Sequence, residues 1–191
     1  MIAHLKEILL TRKDVIALKG NHELFDETGR HLFNSTQMGP QALKHSIPKW
    51  GNFFTDLLGP LISMLGTTAI VGDTLMVHGG ISSNIRTLDD LNNPINEMSL
   101  LRNDACEDIS GELHHNRLKG AYLFGSDVTD KVLRSLGLKL IVRGHNSESA
   151  PDGPAYFHDR RIITVNSCAR YGRPFMLILD GKSLEHTHEF L

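Results

Sequence analysis

The sequence has few cysteines and no strong excess of charge of either sign. Cys106 and Cys168 are its only cysteines and form no Cys-x-x-Cys pair, which excludes a disulfide framework and a zinc or redox motif of that kind. Twenty Lys and Arg against 22 Asp and Glu give a formal net charge of -2. No general basic field would therefore gather nucleic acid or an anionic membrane, and any phosphate-binding site must be local.

Long apolar runs are also missing. No stretch reaches the 18 uncharged apolar residues of a membrane span, and the N-terminal apolar run contains His4, Lys6 and Glu7, unlike a secretory signal. The sequence therefore predicts a soluble, cytoplasmic protein in a reducing compartment. What the 191 residues do have is an ordinary hydrophobic share of 40%, 17 glycines and 11 histidines.

Apolar periodicity predicts a mixed α/β fold. Helices are expected at 2–12 and 127–136, and a region of irregular helical pattern with three prolines, at about 24–66, is expected to be a helical insertion. Residues 81–120 are polar and mixed, and the last residues form a polar tail. The sequence predicts strands at 14–20, in a hairpin at 67–80 around the Gly72-Asp73 turn, and at 138–145, 155–159, 160–168 and 174–181.

Three of these strands have glycine at one end, beside a residue able to bind a metal. Ligands bind outside the carboxyl ends of strands in α/β sheets, and neutral imidazoles and an amide oxygen suit a divalent first-row metal. Asn21, His78 and His145 are therefore candidate ligands. The three segments are Gly20-Asn21-His22-Glu23, His78-Gly79-Gly80 and Gly144-His145-Asn146.

The order of these motifs resembles that of a known family. ALKGNHE (17–23), MVHGGI (76–81), IVRGH (141–145) and ITVNSCARYG (163–172) follow one another as in the calcineurin-like metallophosphoesterases. The similarity is greatest to the serine/threonine phosphoprotein phosphatase superfamily, including its bacterial-type, Shewanella-like branch. It extends over nearly the whole chain and implies an α/β fold, an incomplete metallophosphoesterase-type β-sandwich flanked by helices.

The resemblance also implies a site. In the family two divalent metals clamp a phosphate and activate a bridging hydroxide; Mn²⁺ is the metal expected here, with Fe or Zn as alternatives. By position in the motifs, Asn21, His78 and His145 would ligate the second metal, and His22 would be the general acid that protonates the leaving alkoxide. A phosphate-binding arginine is also implied. The candidates are Arg102, which is slightly favoured, and Arg117.

The sequence departs from the family pattern before Gly20. Members carry GDxHG and GDxxDRG motifs there, which supply ligands of the first metal, the bridging Asp, an Asp that orients the general acid, and a phosphate-binding Arg. Only 19 residues precede Gly20, and Asp14 is their single Asp. We therefore expect residues 1–191 to be one domain, the C-terminal two-thirds of a phosphoesterase domain, with at most the second metal position retained.

Four further residues near the motifs have weaker assignments. Glu23 is expected to support its loop by accepting hydrogen bonds from backbone amides, and Cys168 to be a small buried residue in a strand. Tyr171 lies where it could pack or approach a phosphate. Arg143 could reach a phosphate or form a structural ion pair. The remaining histidines match no motif and are expected to be structural or on the surface.

The resemblance favours a metal-dependent phosphoesterase that hydrolyses phosphomonoesters, with phosphoserine or phosphothreonine in a partner protein as the leading substrate and a small phosphomonoester as the other. One alternative is a truncated, inactive phosphatase-like binding module; another is a metal-free structural domain. A third is a diadenosine polyphosphate hydrolase-like enzyme, but such proteins favour GHTP where this chain has GHN at 144–146.

Overall fold

The computed structural model describes residues 2–26, 32, 47–115, 120–180 and 186–191. The chain divides into two compact units, Met1–Gly66 and Thr67–Leu191. Among the described residues, no helix is both long and apolar enough to cross a membrane. Most of the region 24–46 lies outside the described residues, so the single-domain assignment and the bounds of the helical insertion stay predictions.

The described part of the first unit is helical. Helix α1 spans Ile2–Thr11, close to the predicted 2–12, because its apolar residues recur at helical spacing. A continuous helical stretch follows later, in which α2 (Trp50–Phe53) passes through a π-helical turn (Phe54–Leu58) into α3 (Gly59–Ile62). The ring of Phe25 packs on those of Trp50 and Phe54, with centroids 6.2 and 5.5 Å away. This unit therefore has an aromatic centre.

The strand predicted at 14–20 is wrong. In the described part of this unit, Leu18 forms only an isolated parallel bridge with Gly66. Two main-chain hydrogen bonds accompany it: Lys19 donates to Gly66, and Gly66 donates to Ala17. A strand is defined by a ladder of such bonds, and one neighbouring glycine supplies only a single rung.

The second unit is built around a five-stranded sheet with the order β1-β2-β6-β8-β7. β2, β6 and β8 are parallel, whereas the β1/β2 and β7/β8 pairs are antiparallel. The predicted hairpin is confirmed, with Gly72 at φ +57° in the turn between β1 and β2. The five strands are β1 (Thr68–Val71), β2 (Thr74–Val77), β6 (Leu140–Arg143), β7 (Ala155–Phe157) and β8 (Ile162–Thr164).

The described residues of the second unit also form two smaller sheets. The strands β3 (Asp104–Ala105), β4 (Glu112–His114) and β5 (Tyr122–Phe124) form one of them, with β5 in the middle. The other is a hairpin of β9 (Phe175–Leu179) and β10 (His186–Phe190). The predicted polar tail is thus wrong at 186–190, because this segment forms a full antiparallel ladder with β9 and main-chain pairing does not require apolar side chains.

Two α-helices pack in the described part of the second unit. Helix α5 (Ser126–Leu136) agrees with the predicted 127–136; it buries Val128, Val132 and Leu133 and ends at Gly137, whose φ of +68° suits glycine. Helix α4 (Pro94–Arg102) was not predicted, since its sequence is polar overall. It begins after Asn93, whose side chain accepts a 3.1 Å hydrogen bond from the amide of Ile95.

The core of the second unit lies between the five-stranded sheet and these helices. Its buried apolar residues come from β2, β5, β6, β8, both helices and the loop after β2. They are Leu75, Val77, Ile81, Ile85, Leu91, Leu100, Phe124, Val128, Val132, Leu133, Ile141 and Ile162.

Candidate metal centre

His78 and His145 are brought together by the register of two parallel strands. Val77 at the end of β2 is paired with Arg143 at the end of β6, so the residues that follow leave the sheet at the same edge. The amides of Gly144 and His145 both donate to the carbonyl oxygen of His78, at 3.1 and 2.8 Å. The main chain therefore fixes the two loops to each other directly at the candidate ligands.

The two imidazoles face each other. The Nε2 atom of His78 lies 3.3 Å from Nδ1 of His145, the ring planes are inclined by 71°, and both residues are half-buried. Two nitrogen lone pairs at this distance repel unless a proton or a cation lies between them. Two ligands at ~2.1 Å from one metal are about 3.0 to 3.4 Å apart, from octahedral to tetrahedral geometry. The donor pair thus fits a divalent metal.

The GNHE segment forms a 3-10 turn, Asn21–Glu23, in the first unit. Glu23 Oε2 accepts a 2.7 Å hydrogen bond from the amide of Gly20, which confirms that Glu23 supports its own loop. Asn21 is half-buried and His22 is exposed. The assignments of Asn21 as a metal ligand and of His22 as the general acid stay predictions.

The two candidate phosphate-binding arginines stay predictions as well. Arg102 is the last residue of α4 and is only 7% exposed. Burial lowers the pKa of its guanidinium, which nevertheless remains charged at neutral pH. Arg117 lies outside the described residues.

The glycines after His78 have a steric reason that sequence analysis missed. A Cβ atom at Gly79 would lie 2.4 Å from the amide nitrogen of Arg102, and one at Gly80 would lie 2.4 Å from the ring of Phe124. Because they have no side chain, these glycines allow the loop to pack directly on the end of α4 and on the core.

Arg143 forms the structural ion pair, one of the two roles left open by the sequence. Its side chain is 1% exposed; Nε donates a hydrogen bond to the carbonyl oxygen of Gly79, and Nη2 donates to the carboxylate of Asp104. Burial lowers the pKa of Arg143, and the negative charge of Asp104 opposes that shift. Sequence analysis did not single out Asp104, because it lies in a polar stretch without periodicity.

The structure revises the expectation for one cysteine and confirms it for one histidine. Cys168 is exposed rather than buried in a strand, because β8 ends at Thr164. His158 has the structural role expected of histidines outside the motifs. It is buried, with Nδ1 2.7 Å from Thr129 Oγ1 and Nε2 3.1 Å from the carbonyl oxygen of Cys106.

The choice between packing and phosphate approach stays open for Tyr171, which is 37% exposed.

Within the described part of the chain, no group of three or more His, Cys, Asp or Glu side chains is arranged to hold a metal ion. The candidate centre shown by the coordinates is therefore an imidazole pair.

Comparison with known proteins identifies the class. The family model for calcineurin-like phosphoesterases matches residues 2–148, and the chain belongs to this family. Members use divalent metal ions. The predicted superfamily is thus confirmed.

The relatives include serine/threonine phosphatases. A serine/threonine-protein phosphatase of Caenorhabditis elegans is 31% identical over 169 residues, which is 83% of this chain and 35% of that protein. Serine/threonine-protein phosphatase PP1-delta of the same organism is 27% identical over 173 residues, 81% of this chain and 50% of that protein. The chain thus spans half or less of the length of these curated relatives.

A solved structure supports the fold. A protein serine/threonine phosphatase of Saccharomyces cerevisiae, described as similar to human phosphatase PP5, superposes with a TM-score of 0.72 at 22% identity. The match covers 96% of this chain and 62% of that one. The predicted α/β, metallophosphoesterase-type fold is therefore confirmed.

Proposed function

We propose that the protein is a metal-dependent phosphoesterase that hydrolyses phosphomonoesters, with phosphoserine and phosphothreonine side chains of proteins as its substrate class. The observation that supports this most is the His78–His145 pair, whose ring nitrogens lie 3.3 Å apart at the carboxyl ends of parallel strands. The substrate class is supported by the serine/threonine phosphatases among its relatives.

Each residue of the proposed site has a separate task. His78 and His145 would hold a divalent metal, for which we propose Mn²⁺, through Nε2 and Nδ1 respectively; this leaves the proton of each neutral ring on its other nitrogen. When bound, the metal supplies Lewis-acid stabilisation of phosphate charge. Asn21 is proposed as a further ligand.

His22 and an arginine would act on the substrate. An exposed imidazole is a suitable donor of a proton to a leaving alkoxide near neutral pH. Arg102 or Arg117 would bind the phosphate oxygens through the planar guanidinium, which matches phosphate geometry in two parallel hydrogen bonds.

Hydrolysis of p-nitrophenyl phosphate and of a phosphoserine peptide by the purified chain in excess Mn²⁺ tests the proposal. We expect turnover that is abolished by EDTA and by His78→Ala or His145→Ala, with folding checked by circular dichroism. A folded chain that binds Mn²⁺ without turnover above the buffer rate would contradict the enzymatic function.

That result would favour a second candidate, a phosphatase-like module that binds a phosphorylated partner without hydrolysing it. The observation behind this alternative is that the described residues bring together two imidazoles and no carboxylate cluster. A carboxylate is needed to balance the charge of two metals that share a hydroxide. Binding of a phosphoserine peptide that depends on Mn²⁺, without hydrolysis, would establish the module.

A further inference from the structure

The guanidinium of Arg143 is connected to both loops that carry the candidate ligands. Arg143 ends β6 and is followed by Gly144 and His145. Its Nε donates to the carbonyl oxygen of Gly79, the residue directly after His78. One buried, planar group thus joins the main chain after one histidine to the main chain before the other.

Asp104 holds the guanidinium in this position. Its Oδ1 accepts a hydrogen bond from Nη2 of Arg143, and the same nitrogen lies 3.4 Å from the carbonyl oxygen of Asn103. Asp104 belongs to β3, which pairs with β5 in a different sheet from the one that carries the two histidines. Its other oxygen, Oδ2, lies 3.5 Å from Nε2 of His115.

A buried ion pair is not required merely to fill this space. Apolar residues of similar volume often replace such a pair without loss of stability, because they avoid the cost of removing two charges from water. They cannot reproduce the forked donor, which reaches the Gly79 carbonyl and the Asp104 carboxylate at once. The ion pair therefore fixes the Gly79 carbonyl relative to β6, which apolar packing at the same place would not do.

We propose, on the basis of the proposed metal site, that Arg143 and Asp104 are positioning residues that set the separation of the His78 and His145 ring nitrogens and thereby the affinity for a divalent metal. Arg143 acts on His78 through the Gly79 carbonyl and on His145 through the main chain. Asp104 acts through Arg143.

The double variant Arg143→Met with Asp104→Asn tests this, because it removes both charges with little change in side-chain volume. Three measurements on the full chain separate the effects: thermal unfolding, the nuclear Overhauser effect between the His78 and His145 ring protons without metal, and calorimetric titration with Mn²⁺. We expect an unfolding temperature close to that of the unsubstituted chain, loss of the ring–ring Overhauser effect, and Mn²⁺ affinity lower by about tenfold or more, as for other residues that orient metal ligands.

Arg161→Met is the matched control. Arg161 directly precedes β8, at the opposite end of the sheet from the histidines, and pairs with Asp130. This variant should keep both the Overhauser effect and the Mn²⁺ affinity. If the control lowers both as much as the double variant does, the effect comes from general loss of packing and the proposal is wrong.

Arg143→Lys covers the case in which the double variant does not fold. Lysine keeps the charge but lacks the forked donor, so we expect a folded chain with a weaker Overhauser effect and reduced Mn²⁺ affinity. A folded double variant or Arg143→Lys variant with both quantities unchanged would overturn the proposal. If the unsubstituted chain shows the Overhauser effect but binds no Mn²⁺, the proposed function fails, whereas loss of that effect in the variants still supports positioning.

Discussion

The amide of His145 donates a 2.8 Å hydrogen bond to the carbonyl oxygen of His78. The two residues are therefore joined through the main chain as well as through facing rings. Replacement of either imidazole leaves the main-chain bond in place. Effects on ligand binding can thus be separated from effects on folding, and the predictions below use that separation.

Gly79→Ala should destabilise the chain more than Gly144→Ala. A Cβ atom at 79 would lie 2.4 Å from main-chain atoms of Leu101 and Arg102, whereas one at 144 would meet its nearest neighbour, His78 Nδ1, at an ordinary 3.6 Å. Overpacking against main chain of this kind costs ~1–3 kcal/mol. Urea denaturation of both variants measures the difference, and equal losses of unfolding free energy would contradict the packing described for this loop.

Asp127→Asn should make the stability of the chain less dependent on pH under acidic conditions. The hydrogen bond from the amide of Gly111 to the Asp127 carboxylate lowers the pKa of Asp127, with a smaller contribution from Ser110. A depressed folded-state pKa stabilises the fold above the unfolded value of ~3.9, and this stabilisation is lost as the pH falls through the folded pKa.

Thermal unfolding of both proteins between pH 7 and pH 3 checks this prediction. Over this range the unfolding temperature of the unsubstituted chain should fall further than that of Asp127→Asn. If the unfolding temperatures of the two proteins fall in parallel, ionisation of Asp127 does not contribute to the stability of the fold.

His22→Ala should lower turnover of an alkyl phosphate much more than turnover of p-nitrophenyl phosphate. An alkoxide leaves only when protonated, whereas p-nitrophenolate is a stable anion and needs little help from a general acid. His4→Ala, at an exposed histidine of the same unit, should leave the ratio of the two rates unchanged. If His22→Ala lowers both rates equally, the assignment of His22 as the general acid is wrong.

A segment bearing GDxHG and GDxxDRG, fused before residue 1 from a related phosphatase, should raise the bound metal to two ions per chain and increase turnover. Neither motif occurs in residues 1–191, and their carboxylates would supply the bridging ligand that two metals share. Metal analysis and p-nitrophenyl phosphate hydrolysis measure the outcome. A folded fusion with two metals and no turnover would favour a binding role.

The sequence was most informative where glycine and histidine lie at strand ends. Apolar runs that end beside His78 and His145 predict both imidazoles at strand ends, and the parallel pairing of β2 with β6 in the structure brings them to the same edge. The role of Asp104 could not be predicted. Asp104 contacts Arg143, which lies 39 positions further along the chain. A local sequence pattern cannot predict a contact between residues so far apart in the sequence.

The errors in the predicted elements have physical causes as well. The β-branched run at 14–20 has the composition of a strand, but β structure depends on a partner, which Gly66 provides only at Leu18. The segment 186–190 shows the reverse: polar residues form a strand because β9 offers a complete ladder. Helix α4 is determined by its Asn93 cap, Pro94 and burial against the core more than by periodicity.

Equilibrium binding of Mn²⁺ to the chain and to three histidine variants tests the central claim most directly. His78→Ala and His145→Ala each remove one proposed ligand, whereas His114→Ala removes an exposed imidazole of the same unit that lies against the ring of Tyr122. We predict saturable binding to the unsubstituted chain and to His114→Ala, and affinity lower by at least about tenfold in the other two variants, all four having similar unfolding temperatures. Equal Mn²⁺ affinity in all four proteins would contradict the assignment of His78 and His145 as a metal site.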